Sequence, residues 1–257
     1  MKAPSDAGSL KRGVAILKLL ATAGPRGLAL TELSEKSRIP HPSVHRILGQ
    51  LTAERLAVFN AELRRYKLGP LAFELGVAGS TMHDIRDLCE PAMDMLAKET
   101  GDTVYLVVRS SFDAVCMHRR EGSFPIRALV LEVGSRRPLG VGAGGLAILS
   151  AIDEEERSEI IERVGPSLAA FGKLSPQDLA EACVQARTLG AAVIQNRVSL
   201  GVKAVGVPFR DSMGQAVGAL SVAALSQRLS QRRIAVVAEM LRGATQSVEI
   251  LLRKRKP

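Results

Sequence analysis

The residues best suited to chemistry lie in one short stretch, Pro40 to Leu51, with the sequence PHPSVHRILGQL. Its apolar residues recur with the 3.6-residue period of a helix: Val44, Ile47, Leu48 and Leu51. The opposite side carries small, polar and cationic groups: Ser43, His45, Arg46 and Gln50. Hydroxyl, imidazole, guanidinium and amide groups can form hydrogen bonds with base edges in duplex DNA. The stretch therefore predicts a DNA-recognition helix.

The start of this helix is marked by Pro42. Proline is tolerated in a first helical turn because an amide there would have no intrahelical partner. We therefore expect the amides of Ser43 and Val44 to be free and to point out of the helix end. Free amides at a helix N-terminus are a favourable site for a phosphate oxygen.

Two further helices are predicted upstream, where they would hold the recognition helix in place. Ser9 is a plausible N-cap for a helix that reaches about Ala23. Its predicted inner face consists of Leu10, Val14, Leu17 and Ala21. Thr31 can cap a shorter helix over 32–37, and residues 37–40 form the turn that follows. Two short helices joined by a tight turn, behind a longer helix, constitute a helix-turn-helix.

The segments AVFNA and RRYKL, on either side of Glu62 and Leu63, have the composition of two short strands. A hairpin at this place is a wing, and it carries Arg64, Arg65 and Lys67. Residues 1–8, before the domain, are predicted to be a disordered tail.

A helix is predicted after Gly69-Pro70, and we interpret residues 70–82 as a linker helix between two domains. Its apolar side consists of Leu71, Ala72, Leu75 and Ala78. That side requires a partner, and the expected one is the same helix of a second subunit.

From Thr103 the pattern changes to strands interrupted by helices. TVYLVVR and AVCMHRR predict a hairpin, IRALVLEVG predicts a third strand, and VKAVGVPFR and AVGALSVAAL predict two more. Helices are predicted near 144–152, 153–164, 175–189 and 230–252, with Ser175 as an N-cap and Gly190 as a C-terminal stop. Antiparallel strands bracketed by helices indicate an α+β fold.

Charge is concentrated at the two ends of the chain, whose formal net charge is +9. Residues 1–80 contain twelve Lys or Arg against six Asp or Glu, and residues 253–256 are all basic, so the remainder is nearly neutral. A basic N-terminal domain indicates a polyanionic partner, and a neutral second part indicates a different task. The basic tail is more typical of a solvated terminus.

Other features exclude several functional classes. Cys89, Cys116 and Cys183 are odd in number and far apart, which fits neither a disulfide framework nor a CxxC metal site. The chain shows no leader sequence and no apolar run of roughly 20 residues. We therefore expect a cytoplasmic protein that does not associate with membranes, and we predict neither a metal nor a cofactor.

Six motifs follow one another along the chain: SLKRGVAILKLL, LTELSEKSRIPHPSVHRILGQL, YKLGPLAFELG, ETGDTVYLVV, VGSRRPL and GALSV. In this order and spacing they resemble the IclR family of bacterial transcription regulators, from Ser9 to Leu252. The resemblance implies a winged helix-turn-helix domain over 9–69, a linker helix over 70–82 and a GAF-like effector-binding and oligomerisation domain over 83–257. It also implies homodimers or tetramers on double-stranded operator DNA.

The resemblance implies a division of roles on the DNA. The residues facing the major groove would be Ser43, His45, Arg46 and Gln50. In that groove Arg pairs with guanine and Gln pairs with adenine. The residues contacting phosphates, which fix register without reading sequence, would be Arg12, Arg64, Arg65 and Lys67.

The resemblance also implies an effector pocket against the sheet. The matching positions in this chain are Gly142, Ala143, Gly144, Ile194, Asn196, Ala204, Ser221 and Ala223. Of the three strand positions only Ser221 has a hydroxyl, so we expect a partly apolar carboxylate, such as an aromatic acid. Its charge would be met by the amides of residues 142–144 or by Arg197.

Two alternatives stay open. In the first, the C-terminal domain serves only for oligomerisation. In the second, Gly140, Gly142 and Gly145 form the dinucleotide fingerprint GxGxxG of an NAD-type enzyme. The residues before it, SRRP at 135–138, are unsuited to the central strand that this fingerprint requires. Cys116 is a candidate nucleophile, but its apolar surroundings favour a structural role. We therefore predict a regulator and not an enzyme.

Overall fold

The computed structural model describes residues 6–24, 26–78, 81–196 and 199–254. The chain forms two compact units, Met1–His83 and Asp84–Pro257. None of the helices within the described ranges combines the length and apolarity that a membrane span requires.

The first unit is a winged helix-turn-helix. Its elements are α1 (Asp6–Ala21), α2 (Leu30–Ser37), α3 (His41–Ala53), β1 (Ala57–Asn60), β2 (Arg65–Leu68) and α4 (Pro70–Ala78). Strands β1 and β2 pair antiparallel as the wing. The core of this unit is formed by apolar residues of the first three helices and the wing: Ile16, Leu20, Leu33, Ile39, Val44, Ile47, Leu48 and Ala57.

The predictions for α1 are partly wrong. The helix begins at Asp6, so residues 6–8 are helical, while residues 1–5 of the predicted tail lie outside the described residues. Its fully buried residues are Ile16 and Leu20, whereas Leu10 is 74% exposed and Val14 is 41% exposed. Two overlapping apolar series with helical spacing run along α1, and packing against α3 and β2 selects the other one.

The prediction for the start of α2 is also wrong. The helix begins at Leu30, one residue before Thr31, and Ala29 is its N-cap. The cap is provided from inside the helix, because the Glu32 carboxylate accepts a hydrogen bond of 2.7 Å from the Ala29 amide.

The second unit is an α+β domain, as predicted, built on a six-stranded sheet in the order β5-β4-β3-β8-β7-β6. Its strands are β3 (Thr103–Ser110), β4 (Asp113–Arg120), β5 (Arg136–Pro138), β6 (Ala192–Gln195), β7 (Val202–Arg210) and β8 (Ala216–Leu225). Its helices are α5 (Thr81–Thr100), α6 (Ala143–Ser150), α7 (Glu154–Leu168), α8 (Pro176–Leu189) and α9 (Gln231–Lys254). Every strand pair within the described sheet is antiparallel.

Helices cover both faces of this sheet, so the central strands are buried on both sides. Along β3 the side chains alternate between two cores. Tyr105 and Val107 pack with apolar residues of α6, α7 and α8. Val104, Leu106 and Val108 pack with apolar residues of α5 and α9.

Several local predictions for the second unit are confirmed. The β3–β4 hairpin pairs Ser110 with Asp113 around its turn. Ser175 is the N-cap of α8 and accepts a hydrogen bond from the Asp178 amide. Gly190 ends the same helix in the left-handed conformation, at a φ of 65°.

Two strand predictions are wrong. The apolar segment 126–134 is not a strand, and the third strand of the sheet is β5, which pairs with β4 at the sheet edge. The segment is held instead by the hydroxyl of Tyr105, which donates to the Ala128 carbonyl at 2.7 Å and accepts from the Val130 amide at 3.0 Å. Strand β6 has no counterpart among the predicted strands.

Candidate DNA-binding surface and ligand cavity

Helix α3 has a buried face and an exposed face, as the sequence predicts. Val44 and Leu48 are fully buried and Ile47 is 5% exposed. On the opposite face His45, Arg46 and Gln50 are exposed, and Ser43 is half-buried. None of these four polar side chains is hydrogen-bonded or ion-paired within the described part of the chain. Their donor and acceptor groups are therefore available to an external partner.

The expectation of free amides at the start of α3 is wrong. Pro40 is the N-cap and Pro42 lies in the first turn, as predicted. However, the Pro40 carbonyl accepts hydrogen bonds from the amides of Ser43, at 2.9 Å, and Val44, at 3.0 Å. Because the side chain of Val44 is also fully buried, Val44 presents no group to DNA.

The three basic residues of the wing differ in their surroundings. Arg64 is exposed in the hairpin turn, where its φ of 52° is left-handed, and Lys67 is half-buried. Arg65 donates from Nη1 to the Gly27 carbonyl at 2.8 Å and forms an ion pair of 3.0 Å with Glu32. Arg65 therefore joins the wing to α2, and its contact with phosphate stays a prediction.

Arg12 of α1 lies on the same surface as the start of α3. A groove between the two helices is lined by Gly8, Ser9, Arg12, Ser43, Arg46 and Ile47. The fold thus brings the basic group predicted on α1 next to the polar face of α3.

Helix α4 is fixed at its start and exposed along its length. Arg55 forms an ion pair of 2.7 Å with Glu74, and its carbonyl accepts a hydrogen bond from the Leu71 amide at 3.1 Å. A side chain on Gly69 would lie 2.2 Å from that carbonyl, so only glycine permits this approach. The exposed apolar residues of α4 are Phe73 (70%), Leu75 (57%) and Val77 (49%).

In the second unit, a cavity of about 50 Å³ lies between the sheet and the N-terminal end of α6. Seven of the eight predicted effector positions line it: Gly142, Ala143, Gly144, Ile194, Ala204, Ser221 and Ala223. Asn196 does not line it, and its Oδ1 accepts a hydrogen bond of 2.9 Å from the Gly201 amide within a turn. Arg197, proposed as a charge partner, lies outside the described residues.

Other cavity residues were not predicted, and most of them are apolar. They are Tyr105, Val107, Ala114, Cys116, Val130, Leu131, Arg137, Val141, Gly145, Ser199 and Val202. Arg137 is the charged member of the lining. Its sequence signal was the motif VGSRRPL, where two adjacent arginines precede a proline and only the second reaches the cavity.

The polar groups of the cavity converge near the start of α6. A side chain on Gly144 would lie 2.9 Å from Val107, so glycine lets the helix end approach strand β3. Ser221 is 4% exposed, and no described residue bonds its hydroxyl. Its Oγ lies 3.6 Å from the position of a Cβ on Gly144. A ligand here would meet backbone amides and a hydroxyl on one side and apolar side chains elsewhere.

The enzymatic alternatives do not fit this geometry. The dinucleotide fingerprint requires a parallel βαβ unit, whereas the strand before Gly140 is β5, antiparallel to β4. Burial raises the pKa of the Cys116 thiol to about 12, so it stays a neutral thiol at physiological pH and is a poor nucleophile.

Comparison with known proteins agrees with both units. A family model described as the IclR helix-turn-helix domain matches residues 9–61, and one described as bacterial transcriptional regulator IclR C-terminal matches residues 78–250. The chain belongs to the IclR family. It is therefore a DNA-binding transcriptional regulator and not an enzyme.

Individual IclR relatives cover almost the whole chain. The HTH-type transcriptional repressor AllR of Escherichia coli K12 is 28% identical over 253 residues, which span 97% of this chain and 92% of that protein. An IclR regulator from Alicyclobacillus acidocaldarius has a TM-score of 0.75 at 21% identity, covering 95% of this chain and 98% of that one. An IclR homolog from Microbacterium hydrocarbonoxydans, complexed with 4-hydroxybenzoate, has a TM-score of 0.73 at 21% identity, covering 96% and 100%. At these identities the two structures show a shared fold.

Proposed function

We propose that this IclR-family regulator binds an operator through α3 and the wing, and that a small, partly apolar carboxylate in the cavity of the second unit modulates this binding. The observation that carries the first part is the polar face of α3, whose side chains have no partners among the described residues although the opposite face packs in the core.

On the DNA we assign two kinds of contact. The residues that read base edges are Ser43, His45, Arg46 and Gln50. The residues that contact phosphates are Arg12, Arg64 and Lys67. Arg65 acts indirectly, because its hydrogen bond to Gly27 and its ion pair with Glu32 hold the wing against the helices.

The second part rests on the cavity. A domain used only for assembly would have its interior filled with side chains, whereas this one keeps a small space of about 50 Å³. The composition of its lining, apolar with a few polar groups, is that of small-molecule sites. The 4-hydroxybenzoate bound by the Microbacterium hydrocarbonoxydans homolog is a carboxylate with an apolar ring. An effector of that class would suit the apolar lining found here.

We further propose that two copies associate through α4. Phe73 and Val77, one turn apart on the same side of α4, are apolar and exposed on a helix that has no buried residue among those described. An exposed apolar patch of this kind is a common site of subunit association, and two recognition helices in a symmetric dimer would read two half-sites.

The DNA part is tested by selecting bound fragments from a genomic library and measuring affinity by fluorescence anisotropy as salt is raised. Three phosphate contacts in each of two subunits predict that log K falls with log salt at a slope of about −5. A protein that binds no duplex in a salt-dependent manner would contradict the proposal.

A further inference from the structure

The cavity contains a positive charge that no described acidic side chain of the lining balances. Arg137 is the charged residue among the described residues that line it, and no described Asp or Glu is part of the lining. Burial lowers the pKa of Arg137, but a guanidinium remains protonated at any physiological pH. The cavity is therefore electrostatically suited to an anion.

Arg137 also has unused hydrogen-bond donors. Its Nη2 donates to the Val130 carbonyl at 2.5 Å, while Nε and Nη1 have no partner in the described part of the protein. Nη1 lies 3.9 Å from the position of a Cβ on Gly142, beside the start of α6. The neighbouring Arg136 is different, because it forms an ion pair of 2.9 Å with Asp113 and a hydrogen bond of 3.1 Å with Ser110.

Two independent features also make the cavity suitable for an anion. The amides of Ala143 and Gly144, in the first turn of α6, have no described acceptor, and the positive end of the helix dipole lies there. The Ser221 side chain lines the cavity, has no hydrogen-bond partner among the described residues, and places its Oγ 3.6 Å from the position of a Cβ on Gly144. Its hydroxyl is therefore available to a molecule in the cavity.

We propose that Arg137 binds the carboxylate of the effector, with the amides of the α6 N-terminus and the Ser221 hydroxyl as secondary donors. The planar guanidinium can pair with both carboxylate oxygens through parallel hydrogen bonds. Because Arg137 is the one cation among the described lining residues and the remaining described lining is largely apolar, the preferred ligand class is a monocarboxylate with an apolar body. This inference rests on the proposed effector function of the cavity.

The experiment measures calorimetric binding of four acids to the full-length protein: isobutyrate, benzoate, phenylacetate and 4-hydroxybenzoate. Each acid is compared with its neutral amide, which has almost the same shape. We expect at least one acid to bind about 10- to 100-fold more tightly than its amide, the range of a charge-assisted hydrogen-bonded pair. This comparison uses the unmodified protein and so does not depend on whether a variant folds.

Variants of Arg137 then test whether this side chain causes the preference for acids over amides. Arg137→Met should abolish the difference in affinity between each acid and its amide. Arg137→Lys should keep part of that difference, because the positive charge remains while the two parallel guanidinium donors are lost. Arg136→Met is the matched control, since it removes the adjacent guanidinium outside the cavity, and it should leave the preference unchanged.

The outcomes separate this inference from the function on which it rests. If amides bind as tightly as acids, if none of the acids binds, or if Arg137→Met keeps the preference, the assignment of Arg137 is wrong. Ala204→Leu tests the site itself by filling the cavity from strand β7. If that variant binds the acids as tightly as the unmodified protein, the cavity is not the effector site and the proposed function of the second unit is wrong.

Discussion

At the residue scale, Arg46 and Arg65 differ in what already occupies their guanidinium groups. Arg46 is exposed on α3 and has no partner within the described ranges, whereas Arg65 is bound to the Gly27 carbonyl and to Glu32. A free guanidinium on a recognition helix can pair with a guanine, while a bound one stabilises the element that carries it. Substitutions at the two positions should therefore affect DNA binding in different ways.

Arg46→Ala should weaken operator binding by about 1–3 kcal/mol and remove discrimination at one base pair. The measurement is fluorescence anisotropy with the operator, a set of single-base variants and random DNA. Lys67→Ala is the matched control, because it removes one positive charge at a proposed phosphate contact. It should weaken all sequences by the same factor and reduce the salt slope by about one. Equal losses on operator and random DNA for Arg46→Ala would contradict its assignment.

Glu32 provides a test of the role given to Arg65. Removing a negative charge near DNA should strengthen binding if only long-range electrostatics matters. If the ion pair holds the wing, Glu32→Gln and Arg65→Gln should both weaken binding and lower the melting temperature. A double-mutant cycle should show a coupling of about 0.5–1 kcal/mol, modest because both side chains are partly exposed. Additive effects, or tighter binding by Glu32→Gln, would show that Arg65 does not act through Glu32.

At the scale of elements, the sequence predicts those that local signals define. Helix α3 follows from its apolar period, and the ends of α8 follow from Ser175 and Gly190. The prediction of a strand over 126–134 is wrong because its apolar residues suggest a strand, yet side chains bond much of its backbone, among them the Tyr105 hydroxyl, 21 or more positions earlier in the chain. A contact of this kind depends on the folded sheet and leaves no local pattern.

The residues of the candidate sites, like the elements, could be predicted only where local patterns define their positions. The family motifs placed most of the cavity lining correctly because those residues lie on regular strands and at a helix start. The separate environments of Arg136 and Arg137 could not be predicted, because adjacent residues of a strand point to opposite sides and only the tertiary structure shows which side holds Asp113.

Gly69→Ala should destabilise the connection between the wing and α4. The added methyl group would lie 2.2 Å from the Arg55 carbonyl and 2.9 Å from that of Ala57, and relieving such overlap costs about 1–3 kcal/mol. Gly13→Ala in α1 is the matched control, because no atom lies within 4 Å of its added Cβ. That change should stabilise the helix by about 0.5–1 kcal/mol. Urea denaturation measures both, and equal stability of the two variants would contradict the role of Gly69.

At the scale of the whole molecule, the proposed dimer depends on α4. Phe73→Ser should weaken association by about 1.5–3 kcal/mol, since it removes a large apolar side chain from each copy of the interface. Sedimentation equilibrium measures the dissociation constant. Leu189→Ser, at a 62% exposed position of α8, is the control for losing a surface apolar group. An unchanged dissociation constant for Phe73→Ser would place the interface elsewhere.

Strand β3 connects the cavity on one face of the sheet with the helices on the other face. Tyr105 touches the cavity, and its chain neighbours Val104 and Leu106 are packed on the opposite side among residues of α5 and α9. Tyr105 is thus only one residue away along the strand from the side chains that pack against α5. The two faces of the sheet share one backbone, so a shift of β3 on the cavity side would also move the side chains that pack with α5 and α9.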